Sequence, residues 1–178
     1  NELINGGITL PILHVGRFSA ADLHLFRSGQ VHCTINSPDD LKLIHEFCSE
    51  NGVIITAHLK VDTGMGRMGI RFEKSEFVMQ LLAESAAIKI EGIYSHFATA
   101  EENNTEYRHW QLERFQQIKT LANELLPKTT YFHIANSAGI LTYPESHFNM
   151  VRPGITLYGV SPLGEPHDNL KPVMTLLG

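Results

Sequence analysis

Cysteine is scarce: Cys33 and Cys48 are the only two in 178 residues. They lie too far apart for a CxxC pair, and a chain of this length needs no disulfide framework to hold a core. A reducing, cytoplasmic setting fits. Long hydrophobic runs are missing too. None approaches the ~18 residues of a membrane span, which argues against a helical membrane protein. Positive charge is in deficit, with 14 Lys and Arg against 19 Asp and Glu and a net charge of -5. No basic block collects what there is, so a nucleic-acid backbone is a poor partner and a small molecule a better one. The chain opens Asn1-Glu2-Leu3 with no Met and no leader-like segment, and is expected to be part of something longer.

What is present is an alternation. Apolar runs rich in β-branched residues recur at Leu10 to Val15, Val31 to Ile35, Val53 to Val61, Ile88 to Ser95, Thr130 to Ile134 and Phe148 to Val151, giving six candidate strands. Helical periodicity fills the intervals Ser19 to Arg27, Pro38 to Cys48, Glu73 to Ser85 and Thr105 to Leu126. Ser37-Pro38-Asp39-Asp40 supplies an N-cap serine, a first-turn proline and acidic residues where the helix dipole favours them. Alternation at this spacing predicts an α/β domain with a parallel sheet. The strands are apolar almost throughout, as in Val53-Ile54-Ile55, which suits a sheet covered on both faces. Either a barrel or a doubly wound sheet satisfies that pattern. From Ser161, the residues Pro162, Gly164, Pro166 and Pro172 mark a crossover out of the domain. The expected division is a domain over 1–160 and a crossover over 161–178.

Four polar motifs stand out. His58-Leu59-Lys60-Val61-Asp62-Thr63-Gly64-Met65-Gly66-Arg67-Met68-Gly69 runs from a strand into a loop whose glycines permit close backbone approach to a ligand. Lys60 and Arg67 also read as a solvated pair beside a turn. Glu91-Gly92-Ile93-Tyr94-Ser95-His96-Phe97-Ala98-Thr99-Ala100 places His96 where an apolar strand meets a loop, at which a histidine can equally be structural. His133-Ile134-Ala135-Asn136-Ser137-Ala138-Gly139 offers a helix cap or a phosphate seat. Asn149-Met150-Val151-Arg152-Pro153-Gly154-Ile155 closes a strand on Arg152, which alone would suit a buried ion pair. All four fall at the C-terminal end of a strand in successive βα units, the face on which barrels carry their chemistry. Barrels commonly seat a phosphate on the loops after the last two strands, where Asn136, Ser137, Gly154 and Ile155 would lie.

Taken with Thr156-Leu157-Tyr158-Gly159, these blocks resemble the signature segments of the alanine racemase family in order and spacing, over nearly the whole chain. The resemblance implies a pyridoxal-phosphate (PLP) enzyme of fold type III, built on a (β/α)8 TIM-type barrel with about strands three to eight present here. At 178 residues the chain is short of the ~250 of a complete barrel. The implied activity is interconversion of L- and D-alanine for cell-wall peptidoglycan, by a cytoplasmic homodimer acting on a small amino acid. A racemase of serine or of broad specificity, and a non-catalytic PLP-binding barrel, are the alternatives. A related decarboxylase would carry Glu in place of Arg152.

By the same resemblance, Arg152 faces the cofactor's ring nitrogen. A guanidinium keeps its proton, which weakens the ring as an electron sink and favours racemisation over transamination. Arg67 and Met65 lie with the substrate, and Lys60, often carbamylated in this family, supports Arg67. His96 contacts the cofactor, while Ser137, Gly154 and Ile155 bind its phosphate, with Asn136 and His133 supporting them. No metal is implied. Glu101 stands where Asp is more usual, and Ser95 where Thr is. The lysine that carries the cofactor is expected before Asn1, and the tyrosine base beyond Gly178, in the C-terminal domain of a partner subunit.

Overall fold

The computed structural model describes residues 2–173. The crossover expected over 161–178 therefore lies outside the described residues from 174 onward. A short helix α1 (Glu2–Asn5) and the edge strand β1 (Ile12–Leu13) lead into α2 (Leu23–Phe26). The regular units follow: β2 (Val31–Ile35), α3 (Pro38–Asn51), β3 (Ile55–Asp62), β4 (Ile70–Arg71), α4 (Ser75–Ala83), β5 (Ile88–Tyr94), α5 (Glu106–Leu125), β6 (Tyr131–His133) and α6 (Ser137–Thr142). The strands pair in parallel in the order β1-β2-β3-β5-β6, with β4 attached to β3 alone. This is a parallel-strand half-barrel with its helices on one side.

Local chemistry starts and stops these elements. Ser37 Oγ accepts from Asp40 N–H, and Asp40 carboxylate accepts from the N–H of Ser37 and Asn36, so α3 opens with a capping box. It ends at Gly52, held at φ 62, a left-handed cap that costs glycine little.

Successive strand residues face opposite ways, and the two faces differ in kind. On β3, Ile55, Ala57, Leu59 and Val61 are fully buried in one core with Ile44 of α3, Met79 of α4 and Phe115 and Ile118 of α5. The alternate residues His58 and Lys60 turn to the inner face. Register carries that face across the sheet in two rows, Thr34, His58, Gly92 and Tyr131, then Lys60, Tyr94 and His133. The sequence predicts strands apolar on both faces, whereas the inner face is polar and aromatic, and buried except at Tyr131.

The expected sixth strand, Phe148 to Val151, does not form. Phe148 is at φ 47, incompatible with a strand, and Pro153 has no N–H to give a ladder. A single backbone bond, Arg152 N–H to Ala135 carbonyl at 3.0 Å, holds this segment beside the end of β6. In exchange β4, invisible as a pattern in two residues, returns the glycine loop alongside β3 through Val61 and Ile70.

Candidate active site

Arg152 is the hub at the C-terminal ends of β5 and β6. Its Nη1 donates to the His133 carbonyl at 3.1 Å and to His133 Nδ1, and its Nη2 donates to the Ser95 carbonyl at 2.6 Å and to His96 Nδ1 at 3.4 Å. The guanidinium carbon stands 4.9 Å from the centre of the Tyr94 ring, which stacks on His133 at 4.8 Å. Burial brings Arg152 down to about 10, so it stays cationic at neutral pH. The same burial, with the Arg152 charge beside them, lowers His96 to about 4 and His133 to about 2. Both imidazoles are thus neutral and free to accept from the guanidinium.

A cleft of about 320 Å³ opens beside this hub, lined by His96, Glu101, Asn136, Ser137, Arg152, Gly154 and Ile155 among others. Its volume is within the ~300–1,000 Å³ of small-molecule sites. Asn136 caps α6, its Oδ1 accepting from Gly139 N–H at 3.0 Å. The Ser137 hydroxyl oxygen accepts from Gly154 N–H at 2.8 Å and Thr156 O–H at 3.2 Å. With its lone pairs engaged, that hydroxyl has its own proton to donate. Ile155 opens a 3-10 turn (Ile155–Tyr158), and a first-turn N–H has no acceptor within its own helix. These donors suit an anion such as phosphate.

Larger clefts, of about 380 to 500 Å³, lie elsewhere: one along the exposed side of α5, one among the N-terminal ends of β3 and β5, one beside β1 and α2, and one between α3 and the start of β3. None of these is lined by a residue of the four motifs. Among the described residues, no group of three or more His, Cys, Asp or Glu is placed to hold a metal ion. Both cysteines are buried free thiols, and burial pushes Cys33 up to about 12.

The glycine loop forms the second wall. Asp62 carboxylate accepts from the N–H of Gly64 and Gly66, and Tyr107 of α5 donates to the Gly64 carbonyl at 2.6 Å. Arg67 is exposed and Met65 half-buried. Lys60 is 6% exposed, with Nζ 5.6 Å from the Tyr94 ring centre. Burial first, then Arg67 and Arg152, lowers its pKa.

The structure therefore gathers His96, Asn136, Ser137, Arg152, Gly154 and Ile155 around one cleft, while Lys60, Met65 and Arg67 stand outside its lining. His133 is placed differently from the sequence-based expectation. It bonds Arg152 and His58 rather than the phosphate loop. Tyr94 and Tyr107 have no role in the sequence-based expectation; Tyr94 lies inside the Glu91 to Ala100 motif as the last residue of a buried strand, immediately before Ser95-His96, and that position is the signal that points to it.

A parallel half-barrel with a polar cleft at its strand ends defines the class as the α/β barrels, which carry their sites on that face. Within it, residues 1–162 match the family model for the N-terminal domain of alanine racemase, and the chain belongs to that family. It is 36% identical to alanine racemase 1 of Clostridium acetobutylicum over 98% of this chain and 46% of that protein. Among solved structures, it resembles alanine racemase of Clostridium difficile 630 with TM-score 0.88 and 32% identity, over 96% of this chain and 48% of that one. A histidine racemase from Leuconostoc mesenteroides is also similar, with TM-score 0.80 and 26% identity, over 96% and 46%. The chain spans about half the length of the curated relatives it matches.

Proposed function

We propose that the full-length protein is a PLP-dependent racemase interconverting L- and D-alanine, and that the cleft beside Arg152 holds the cofactor. The observation that carries this reading is the meeting of six residues from three separate motifs on one small cleft at the strand ends. Ser137, Gly154 and Ile155 would take the phosphate, with Asn136 fixing α6 beneath them and His96 against the ring. The bound cofactor supplies an electron sink that acidifies the Cα–H of an amino acid. Arg152, cationic at neutral pH, would face the ring nitrogen and, keeping its own proton, leave that nitrogen unprotonated. That setting favours proton return at Cα over transamination.

Arg67, with Met65 beside it, meets the substrate carboxylate from the glycine loop. The lowered pKa of Lys60 favours the free amine, the form that adds carbon dioxide with loss of a proton; the resulting carbamate anion would brace Arg67. By the family resemblance, the two groups that move the Cα proton would come from parts of the full-length protein other than these residues. The remaining reading follows from this: a domain over 1–160, a crossover from 161 into a further domain, a cytoplasmic homodimer, and D-alanine for peptidoglycan. Similarity to a histidine racemase supports a second substrate reading, a racemase of serine or of broad specificity; comparing kcat/KM for alanine, serine and histidine separates the two.

Spectrophotometric titration of the full-length protein with PLP tests the site. Ser137→Ala removes a hydrogen bond to a charged group, about 1.5–3 kcal/mol, so affinity should fall ~10- to 100-fold. Unchanged affinity would remove the phosphate from this cleft.

A further inference from the structure

His58, in the middle of β3, belongs to no step above, yet two irregularities of the sheet serve it. The β3–β5 register shifts between Ala57 and His58. Its neighbour across the sheet is Gly92, where a Cβ would stand 2.3 Å from His58 Nδ1 and 2.5 Å from Cε1. Any side chain at 92 would expel the ring. The ring so accommodated puts Nδ1 3.0 Å from His133 Nε2 and lies flat against Tyr131, 6.3 Å between centres at 8°.

The donors and acceptors of this row leave one arrangement. Arginine has no acceptor, so the Arg152 Nη1 bond requires a lone pair on His133 Nδ1. A neutral His133 then carries its proton on Nε2, which faces His58 Nδ1. His58 must accept there and carry its own proton on Nε2. Burial first, then His32 and Arg152 against the opposing charge of Glu91, brings His58 down to about 4; both rings are neutral at pH 7.

Building on the reading of Arg152 above, we infer that His58 is a positioning residue for the site: by accepting from His133 Nε2–H it fixes the tautomer that holds the Arg152 guanidinium in place. Without that acceptor, His133 can turn or move its proton to Nδ1, and a proton there faces Arg152 donor to donor. The Ser95 and His133 carbonyls still hold Arg152, so the expected effect is misalignment rather than loss.

The tests use the full-length protein. Long-range ¹H–¹⁵N NMR of the wild type without cofactor reads the tautomers directly, with the proton expected on Nε2 of both His58 and His133. A proton on Nδ1 of His133 overturns the inference whatever the variants do. His58→Leu keeps the volume and removes the acceptor; kcat should fall about ten-fold or more, as for other small misplacements, with KM changed little. His58→Asn, which offers an amide oxygen near the place of Nδ1, should recover most of that loss. Gly92→Ala should reproduce the His58→Leu defect. Wild-type kcat in His58→Leu overturns the inference, as does equal loss in the Asn and Leu variants. If His58→Leu does not fold, the wild-type tautomers decide alone. A wild type that neither binds PLP nor racemises alanine rejects the functional reading instead, and leaves the tautomer result standing.

Discussion

At the scale of residues, the site is built from neutral imidazoles around one permanent cation. A charged histidine beside Arg152 would meet a like charge in a poorly solvated place, and desolvation opposes it further. The consequence for stability has a definite sign. His58 and His96 are lowered from 6.5 to about 4, and His133 to about 2. Between pH 6.5 and 4 the unfolded chain binds protons that the folded chain refuses, so stability falls with pH over that window. Contributions from these groups are intact above pH 6.5. Denaturant unfolding of the full-length protein between pH 7 and 4.5 should show this decline while most carboxylates remain ionised. A flat profile there would mean that these histidines take up protons as freely folded as unfolded.

At the scale of elements, the glycine loop depends on α5. Gly64 is at φ 146, and a Cβ there would meet Trp110 Cζ3 at 2.6 Å and the Tyr107 hydroxyl at 2.9 Å. Gly64→Ala combines backbone strain with this clash and should cost about 1–3 kcal/mol, while displacing Met65 and Arg67 and raising KM for the amino acid. Wild-type stability and KM would show that the loop is not held against α5. The strands and helices around this loop were largely legible, because hydrophobic periodicity and the Ser37 cap are local signals. The expected strand at Phe148 was not, since its composition suits a strand while Phe148, at φ 47, packs edge-on against Phe115 of α5. The polar inner face was hidden for a similar reason: His58 and Lys60 read as interruptions of an apolar run until register aligns them with Tyr94 and His133. The six cleft residues were legible through three of the four motifs, although the segment carrying Arg152 forms no strand; the His133–His58 bond spans 75 residues and has no local signature.

At the scale of the whole molecule, six parallel strands among the described residues, five of them in a row from β1 to β6 and β4 attached to β3, make an open sheet. Apolar residues are exposed near β1 (Leu3, Ile8, Leu10, Val15) and along the segment after Arg152 (Ile155, Leu157, Tyr158, Val160). Unpaired parallel edges and exposed apolar surface favour association. Residues 1–178 expressed alone should therefore self-associate and melt with poor cooperativity by calorimetry. A cooperative, monomeric melt would show that the half-barrel is a stable unit in its own right. No helix among the described residues is long and apolar enough to cross a membrane.

The central claim is that this half-barrel forms the cofactor-holding wall of a racemase whose Arg152 favours return of the proton to Cα. Polarimetry of L-alanine with the full-length protein, saturated with PLP, tests it most directly. The account predicts that optical rotation decays to zero with alanine conserved. Rotation that persists, or that falls only as alanine is converted to pyruvate, would contradict it.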